Sequence, residues 1–582
     1  MTDAARQPVA RKPRPVRLVR FGPTRPWFHP GTPATVEVEL TIERPMSVRL
    51  VIELLELDRS IAQVERAARM PVGRSIRRLS LPLPAVGRRG YGLHVRVLDR
   101  AGRPLASGDA AVEALDGWWQ SPRHAAVTRF TGPAATATAV RALREWHVTV
   151  VQDYDWMYRH YRYAPPARDR LPGNAFLDAL GRRVSHAAVR AGIRAGHKVG
   201  IATLAYGSVY GAEREYMDRH PDERVFDDSG EPLSLGGVFF INDLRPDRPW
   251  RRRLLAEYAA AVREFGFDGI HMDSYGPPHR AVGIDGGLID FASEYPGLIA
   301  DGAGAVAAAR TGARVLFNCV EGFPLEAVGD APAAAIYLEL WPPDERYGDL
   351  VAWIERARAA GDGRAIVIAA YLSCLRTHEH DPEARAGAVE AVVLLTSVIA
   401  AAGAYHHVLA EARRVLVEGY YPEARPLRTS EAAELCAAWS FGARYVHTLS
   451  DPGATPESIE GIELSDNEGM PLVISAEPAA SVVWARATRL PDGRRVLNLV
   501  DLRDQPDDRG DRLRAPIRNR RRWRLVWPGA HAVVAVVAAS PWTDRGRPTV
   551  LRLAGDGATI LPPFRRWLLL VEMPSGDEPD RI

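Results

Sequence analysis

The amino-acid sequence predicts a multidomain protein in which a central (β/α)8 barrel, or TIM barrel, is flanked by an N-terminal immunoglobulin-like β-sandwich and a C-terminal β-sandwich. Both ends of the 582-residue chain carry apolar residues at every second position, which is the spacing of half-buried strands. The stretch between them alternates short apolar strands with helices, and its eight candidate strands match the strand count of such a barrel. With 46% hydrophobic and 25% charged residues, the composition is that of a globular protein.

The N-terminal sandwich is predicted over residues 25–116, after a basic, proline-rich tail of residues 1–24 that we expect to be disordered. Apolar residues alternate in three runs of this segment, at Val36, Val38, Leu40 and Ile42, at Val48, Leu50, Ile52 and Leu54, and at Leu93, Val95 and Val97. Strands of this length, separated by proline and glycine, are typical of an immunoglobulin-like sandwich.

The barrel is predicted over residues 117–425. Its eight strands are expected near residues 147–152, 198–205, 238–241, 267–272, 315–317, 335–338, 365–370 and 398–404. The intervening helices, such as 250–265 and 350–360, carry Ala, Leu and Arg at helical spacing, as helices of an outer ring should.

The C-terminal β-sandwich is predicted over residues 426–575, where the spacing of two returns. Pro491-Asp492-Gly493 lies between two apolar runs, 482–488 and 495–499, and predicts a hairpin turn.

The charges nearly cancel, with 75 basic and 72 acidic residues, so no overall field favours a polyanion. The basic clusters at residues 11–14 and 518–524 are interpreted as a solvated tail and a polar strand face, and we expect no nucleic-acid partner. Cys319, Cys374 and Cys436 lack the spacing of a metal site, and three cysteines cannot all pair. We therefore expect no metal and no cofactor.

The N-terminus lacks the apolar core of about 7–15 residues that a signal peptide carries, and we find no uncharged apolar stretch of about 20 residues elsewhere. As written, the chain is therefore expected to be a cytoplasmic monomer without a membrane partner. If its N-terminus is incomplete, we expect an extracellular protein.

Asp273 and Glu339 are the candidate catalytic residues. Each is an acid at the C-terminal end of an apolar strand, in segments 266–276 and 335–343. In a (β/α)8 barrel these strand ends converge on one mouth, so acids from two strands can face each other across a substrate. Two facing carboxylates are what a glycoside hydrolase uses.

The segments that follow the predicted strands are rich in aromatic and acidic residues. Sugars present C–H faces that stack on aromatic rings, and hydroxyls that bind carboxylates and amides. The predicted substrate-binding residues are Asp155, Trp156, His160, Tyr206, Asn242, Tyr275, Asn318, Trp341 and Tyr371. Some rings could instead plug the barrel ends, and for Tyr154 and Tyr337 both interpretations remain open.

Other acids compete for the catalytic roles. Glu321, after the fifth predicted strand, is the rival for the acid role, although a carboxylate at that place can equally bind a substrate hydroxyl. Asp268 is five residues before Asp273 and lies on the opposite strand face by odd spacing, so we expect a structural role or a role in supporting the site residues. His271 lies inside its strand, where a core histidine is expected.

Several segments together resemble glycoside hydrolase family 66: Trp119-Gln-Ser-Pro-Arg123, Gln152-Asp-Tyr-Asp-Trp-Met-Tyr-Arg-His160, the loop 206–210, Gly266-Phe-Asp-Gly-Ile-His-Met-Asp273, Tyr337-Leu-Glu-Leu-Trp341, Tyr405-His-His-Val-Leu and Tyr420-Tyr421-Pro422. This family contains endo-dextranases and cycloisomaltooligosaccharide glucanotransferases, which act on α-1,6-linked glucans with retention of configuration. The resemblance implies that Asp273 is the nucleophile, that Glu339 is the acid/base, and that the partner is an α-1,6-linked glucan or oligosaccharide.

One departure bears on the reaction. Glucanotransferases of the family typically carry a carbohydrate-binding module inserted near strand seven, whereas the stretch from Tyr371 to Leu395 is too short for one. The main expectation is therefore a retaining, dextranase-like hydrolase that cleaves internal α-1,6 linkages. Two alternatives remain: a cycloisomaltooligosaccharide glucanotransferase or other transglycosylase with the same acids, and a non-catalytic carbohydrate-binding scaffold.

Overall fold

The computed structural model describes residues 15–378, 380–517, 522–528 and 533–574. Most of the predicted tail, including the basic cluster at residues 11–14, lies outside the described residues. Residues 518–521 of the second basic cluster lie outside them as well.

The N-terminal part is built of strands only: β1 Val16–Pro23, β2 Trp27–Phe28, β3 Ala34–Ile42, β4 Met46–Glu56, β5 Arg59–Met70, β6 Gly73–Leu81, β7 Arg89–Leu98 and β8 Pro104–Ala114. They form one sheet of order β1-β3-β6 and another of order β2-β8-β7-β4-β5. The alternating apolar residues of β3, β4 and β7 share one core, because period-two spacing places them on one face of each sheet.

The prediction of a disordered tail up to residue 24 is wrong for residues 16–23. These residues form β1, which pairs antiparallel with β3 from Val16 opposite Ile42 to Pro23 opposite Val36. Val16 is buried in the core that the two sheets share, and this burial holds the strand in place.

The central part mixes strands with helices. Its strands are β9 His124–Val127, β10 Val150–Asp153, β11 Ala175–Leu177, β12 Arg183–Ser185, β13 Ala202–Ser208, β14 Gly211–Glu213, β15 Val225–Phe226, β16 Ser234–Leu235, β17 Phe239–Ile241, β18 Gly269–Asp273, β19 Arg280–Gly283, β20 Leu288–Asp290, β21 Arg314–Val320, β22 Ile336–Glu339, β23 Ile366–Ala369, β24 Tyr405–His406, β25 Leu409–Ala410, β26 Arg414–Val415 and β27 Arg425–Pro426. Its helices are α1 Pro133–Ala142, α2 His186–Val199, α3 Arg214–Met217, α4 Pro249–Ala260, α5 Phe291–Ala309, α6 Leu325–Val328, α7 Tyr347–Ala360, α8 Ser373–Thr377 and α9 Pro382–Ala401.

The main sheet of this part is a parallel run of order β24-β23-β22-β21-β18-β13-β10-β9-β25. Its two outer strands are neighbours in the chain, because β24 pairs with β23, β25 pairs with β9, and only two residues separate β24 from β25. The sheet is therefore curled, and all its strands point their carboxyl ends to the same side.

Six of the predicted strands are confirmed in this sheet, as β10, β13, β18, β21, β22 and β23. Residues 239–241 form a strand too, but β17 lies in a small antiparallel sheet with β14 and β16. The prediction of a strand at 398–404 is wrong, because most of that apolar run belongs to the buried helix α9. The sheet instead uses β9 and the segment 405–410.

The C-terminal part begins with α10 Thr429–Arg444 and α11 Val446–Leu449. Strands follow as β28 Thr455–Glu457, β29 Glu463–Ser465, β30 Ile474–Ser475, β31 Val483–Arg489, β32 Arg495–Asp501, β33 Arg524–Val526, β34 Val533–Ala539, β35 Thr549–Arg552, β36 Ala558–Ile560 and β37 Trp567–Pro574. The predicted hairpin is confirmed, since β31 and β32 pair antiparallel out to Arg489 opposite Arg495, around Gly493 with its positive φ of 88°.

Within the described residues, α9 is the helix whose length and apolar composition would suffice to cross a bilayer. Most of that helix is buried inside the protein, as in the core helix of a globular domain. Its Glu390 forms a buried ion pair with Arg566, which precedes β37, so α9 also joins the central and C-terminal parts.

Candidate active site

Asp273 and Glu339 are the last residues of β18 and β22, and β21 runs between these two strands. Asn318 on β21 pairs in register with Asp273. Its amide nitrogen Nδ2 donates to Asp273 Oδ1 at 2.7 Å and to Glu339 Oε2 at 2.6 Å. Because the two oxygens share one donor atom, the distance between them cannot exceed the sum of these two hydrogen-bond lengths.

Each remaining carboxylate oxygen accepts a bond from a tyrosine. Tyr206 of β13 donates to Asp273 Oδ2 at 2.7 Å. Tyr371, which follows β23, donates to Glu339 Oε1 at 2.6 Å. The carboxyl ends of five consecutive strands of the curled sheet thus supply one hydrogen-bonded cluster.

The surroundings raise the pKa of both acids. Burial raises the pKa of Asp273 to about 6, against the effect of the hydrogen bonds from Tyr206 and Asn318. Burial and the nearby charge of Asp273 raise the pKa of Glu339 to about 7, against the bonds from Tyr371 and Asn318. Asp273 is therefore the acid that ionises first, and Glu339 is the one that keeps a proton longer.

An open cavity of about 530 Å³ lies over the two acids. This volume is within the range of sites for small ligands. The cavity wall contains both carboxylates and, of the predicted binding residues, Asp155, His160, Tyr206, Tyr275 and Trp341. Of the nine predicted binding residues, the structure thus places five at the cavity.

Asn318 and Tyr371 act on the site through hydrogen bonds to the carboxylates, and Tyr371 also lines an adjoining cavity of about 280 Å³. Trp156 and Asn242 lie outside both cavities. The Trp156 ring is fully buried against Phe265 and Phe267, and its Nε1 donates to the Tyr206 carbonyl at 3.1 Å. These contacts correct the prediction for Trp156, because a ring enclosed in this way supports β13 from behind and presents no face to a ligand.

Asn242 is also fully buried, and its Nδ2 donates to the carbonyls of Tyr210 and Phe240. The prediction that Asn242 contacts substrate needs the same correction. Its amide joins the small antiparallel sheet to the loop after β13, which carries Tyr210 into the cavity wall.

Two ion pairs hold Asp155 and His160, two polar residues of the cavity wall. Arg182 bonds Asp155 at 3.0 Å, and His160 Nδ1 bonds Glu213 at 2.9 Å. Burial opposes the charge of His160, but its bond to Glu213 and the carboxylate charge raise its pKa overall. Asp155 and His160, which line the cavity, are thus each held by an oppositely charged partner.

Sequence reasoning missed other residues of the wall, namely Leu180, Leu235, Phe239, Ser274, Val320, Glu418 and Gly419. Leu180, Leu235, Phe239, Glu418 and Gly419 lie in the connections between strands of the main sheet. Ser274 and Val320 lie at the carboxyl ends of β18 and β21, and their types, a serine and a valine, gave no sign of a site. Tyr154, Tyr210 and Tyr420 also line the cavity, and their tyrosine-rich segments after the strands were the available sign.

The competing acids occupy different places. Glu321 is exposed at the rim of the cavity and makes no side-chain hydrogen bond to either carboxylate. Asp268 lies before β18, at the far end of the sheet, and accepts bonds from His197 Nε2 at 2.8 Å and the Thr203 amide at 2.7 Å. The predicted structural role of Asp268 is confirmed.

In the described part of the chain, no group of three or more His, Cys, Asp or Glu side chains is arranged to hold a metal ion. The cysteines Cys319, Cys374 and Cys436 are free.

The family model described as Glycosyl hydrolase family 66 matches residues 27–556. A cycloisomaltooligosaccharide glucanotransferase of Niallia circulans is 26% identical over 342 residues, which is 55% of this chain and 34% of that protein. A second one from the same organism is 23% identical over 287 residues, 46% of this chain and 30% of that protein. The chain thus spans about a third of the length of these two relatives.

Among solved structures, a Paenibacillus sp. cycloisomaltooligosaccharide glucanotransferase complexed with cycloisomaltoheptaose aligns with a TM-score of 0.83. The alignment covers 95% of this chain and 99% of that chain at 17% identity. At this identity the likeness concerns the fold.

Proposed function

Because the chain belongs to glycoside hydrolase family 66, we propose that it cleaves α-1,6-glucosidic linkages with retention of configuration, with Asp273 as nucleophile and Glu339 as acid/base. The observation that carries the proposal is the pair of carboxylates held by one Asn318 amide beneath an aromatic, polar cavity. The curled parallel sheet, whose outer strands meet at residues 405–410, supports an interpretation as a (β/α)8 barrel between two β-sandwiches.

In the first step, the ionised Asp273 attacks the anomeric carbon, and Glu339 gives its proton to the departing glycosidic oxygen. The order of the two acids supports these roles. Both acids receive a donor on each oxygen, and Asp273 is the one with the lower pKa, as suits an anion. Glu339 has the higher pKa because the charge of Asp273 lies beside it, as suits an acid.

In the second step, Glu339 is a carboxylate and takes a proton from the hydroxyl that attacks the glycosyl-enzyme. The bond to Asp273 breaks, and both acids return to their starting states. The spacing supports this double displacement, because two oxygens that share the donor Asn318 Nδ2 are closer together than the ~6.5–9.5 Å that separates the carboxyl groups of inverting enzymes.

We propose a sugar hydroxyl as the main acceptor, which makes the reaction a transglycosylation. The support is that both sequence relatives and the aligned structure are named cycloisomaltooligosaccharide glucanotransferases. This choice reverses the expectation of hydrolysis that we drew from the sequence.

Hydrolysis in the manner of a dextranase is the second candidate. It is favoured by the short connection after β23, where α8 and α9 follow within a few residues and leave no room for an inserted module.

The test is to incubate the purified protein with isomaltooligosaccharides and dextran, and with α-1,4-linked chains as a comparison. Separation of the products by size, with a reducing-end assay, distinguishes the candidates. We expect longer or cyclic α-1,6 products without a matching rise in reducing ends. A stoichiometric rise in reducing ends would establish hydrolysis, and equal cleavage of α-1,4 chains would contradict the proposed linkage.

A further inference from the structure

A chain of hydrogen bonds leads from Glu339 into the interior of the curled sheet. Tyr371 donates to Glu339 Oε1, and its hydroxyl oxygen lies 3.2 Å from that of Tyr421. The Tyr421 hydroxyl lies 3.3 Å from that of Tyr337, which lies 2.7 Å from His407 Nδ1. All five residues of this chain are buried or half-buried, and none of its inner members lines the main cavity.

Each tyrosine hydroxyl carries one hydrogen, so the bond to Glu339 fixes the directions of the bonds behind it. When Glu339 is ionised, the Tyr371 hydroxyl donates its hydrogen to the carboxylate. It can then take part in the bond with Tyr421 only as the acceptor. Tyr421 donates its hydrogen to Tyr371 and so accepts a hydrogen bond from Tyr337. Because Tyr337 donates to Tyr421, its oxygen can only accept the bond with His407. The chain is complete when His407 Nδ1 carries a hydrogen and donates to Tyr337.

The surroundings of His407 favour this tautomer. Burial, followed by the neighbouring His271 and His406, holds the pKa of His407 well below its ordinary value, so its ring is neutral and carries one hydrogen. Among the described residues, Nε2 of His407 has no hydrogen-bond partner. A hydrogen placed on Nε2 would be a buried donor without an acceptor, which proteins rarely tolerate.

The titratable groups around the two ends of the chain come from several elements. Around Glu339 they are Asp273 on β18, Tyr337 on its own strand, Tyr371 after β23, and Tyr421. Around His407 they are His124 on β9, stacked at 4.4 Å between ring centroids, with His271 on β18 and His406 beside it. None of these histidines hydrogen-bonds to His407 within the described residues, so Tyr337 is the path from His407 to the acid.

We propose that Tyr337 and His407 are positioning residues for the second step: through Tyr421 and Tyr371 they orient every hydrogen of the chain towards Glu339 and so stabilise its ionised form. Hydrogen bonds in such a chain polarise one another, which strengthens the last bond to the carboxylate. The inference rests on the proposed role of Glu339 as acid/base, since only the base of the second step benefits from a stabilised carboxylate.

The direction of the hydrogen bonds between His407 and Glu339 can be measured without turnover, by nitrogen NMR of the full-length protein labelled with 15N-histidine. The ring nitrogens of a neutral histidine differ strongly in shift according to which one carries the hydrogen, and His407→Asn identifies the signal. At a pH where Glu339 is ionised, we expect the wild-type protein to show hydrogen on Nδ1 of His407.

Glu339→Gln is the informative variant. Asn318 uses both hydrogens of Nδ2 on Asp273 and residue 339, so the glutamine should keep its oxygen towards Asn318 and turn its NH2 group to Tyr371. Tyr371 must then accept a hydrogen bond from this NH2 group and donate its own hydrogen to Tyr421. The bonds from Tyr421 to Tyr337 and from Tyr337 to His407 reverse in the same way. We expect the hydrogen of His407 to be on Nε2 in this variant.

Tyr337→Phe removes one hydroxyl from the chain and keeps the ring. In this background, Glu339→Gln should leave the His407 tautomer unchanged. Tyr405→Phe is the matched control, because that hydroxyl bonds Ser450 at 3.0 Å outside the chain, and the response to Glu339→Gln should persist.

Hydrogen on Nε2 of His407 in the wild-type protein, or no change with Glu339→Gln, would overturn the inference. The kinetic companion is the pH profile of Tyr337→Phe, in which kcat should fall at low pH and the basic limb of kcat/KM should move up by a few tenths of a pH unit. An unchanged profile would count against the stabilising effect. If Asp273→Asn keeps full activity, the proposed function fails, whatever tautomer is found.

Discussion

Tyr206→Phe should raise the pH at which the enzyme becomes active. The change removes the hydroxyl that donates to Asp273 Oδ2 at 2.7 Å and keeps the ring that packs 4.8 Å from Tyr154. A bond to a charged acceptor contributes about 1.5–3 kcal/mol, and one pKa unit corresponds to ~1.4 kcal/mol. Because Asp273 keeps its bond to Asn318 and water in the cavity replaces part of the loss, we expect a rise of about one unit.

The sign follows from the role of Asp273. Its pKa in the folded protein is already raised by burial to about 6, and in the proposed mechanism it acts as an anion, so we expect activity to be lost as the pH falls through that value. In Tyr206→Phe the acidic limb of kcat/KM should move to about pH 7, and kcat/KM at pH 5 should fall roughly tenfold. The pH range of activity, which lies between this acidic limb and the basic limb assigned to Glu339, should narrow.

The assay is the pH dependence of kcat/KM on one isomaltooligosaccharide. Tyr154→Phe is the matched control, because it removes a phenolic hydroxyl from the same cavity wall, but that hydroxyl bonds the Gly419 carbonyl at 3.2 Å. The control should leave the acidic limb in place. An acidic limb that stays fixed in Tyr206→Phe, or that moves equally in both variants, would refute the reasoning.

Glu339→Gln should lower kcat/KM on glucan by ~10²–10⁴-fold, and a substrate with an activated leaving group should restore part of that activity. Glu321→Gln should leave kcat/KM within about threefold of the wild-type value. The opposite pattern would make Glu321 the acid. Trp341→Ala should weaken oligosaccharide binding roughly tenfold by calorimetry, since its ring lines the cavity, and unchanged affinity would exclude it as a sugar platform. Glu390→Gln should lower the free energy of unfolding measured in urea by about 1.5–3 kcal/mol, because buried Arg566 loses one of its two carboxylate partners and keeps Glu434 at 2.9 Å; an unchanged stability would contradict this.

The sequence predicted the two acids because their positions depend on a local pattern. An apolar strand that ends in Asp273 or Glu339 is visible in the chain itself, and parallel strands bring such ends together. The apolar run 398–404 was misread for a physical reason, since continuous apolar residues occur both in buried helices and in buried strands. Strand β9 was missed because its sequence, His-Ala-Ala-Val, has only one β-branched residue and no aromatic residue of the kinds that favour a strand.

The rest of the site depends on register and on long-range packing, which leave no local sign. Asn318 donates to both acids because the strand order of the sheet places β21 between β18 and β22. The bonds from Tyr421 to Tyr337 and Tyr371 cross from one connection of the sheet to another. Trp156 looked like a sugar platform beside Asp155, but Asp155 adopts a positive φ of 49°, and the Trp156 ring is buried in the core.

The most direct test of the account is to trap the glycosyl-enzyme. Glu339→Gln, incubated with an α-glucosyl substrate that carries an activated leaving group, should form the intermediate and lack the base that resolves it. After peptic digestion and mass spectrometry, we expect one added glucosyl residue on the peptide that contains Asp273, and no addition when Asp273→Asn is combined with this variant. A glucosyl group on Glu321 or another residue, or β-configured first products from the wild-type enzyme, would contradict the central claim.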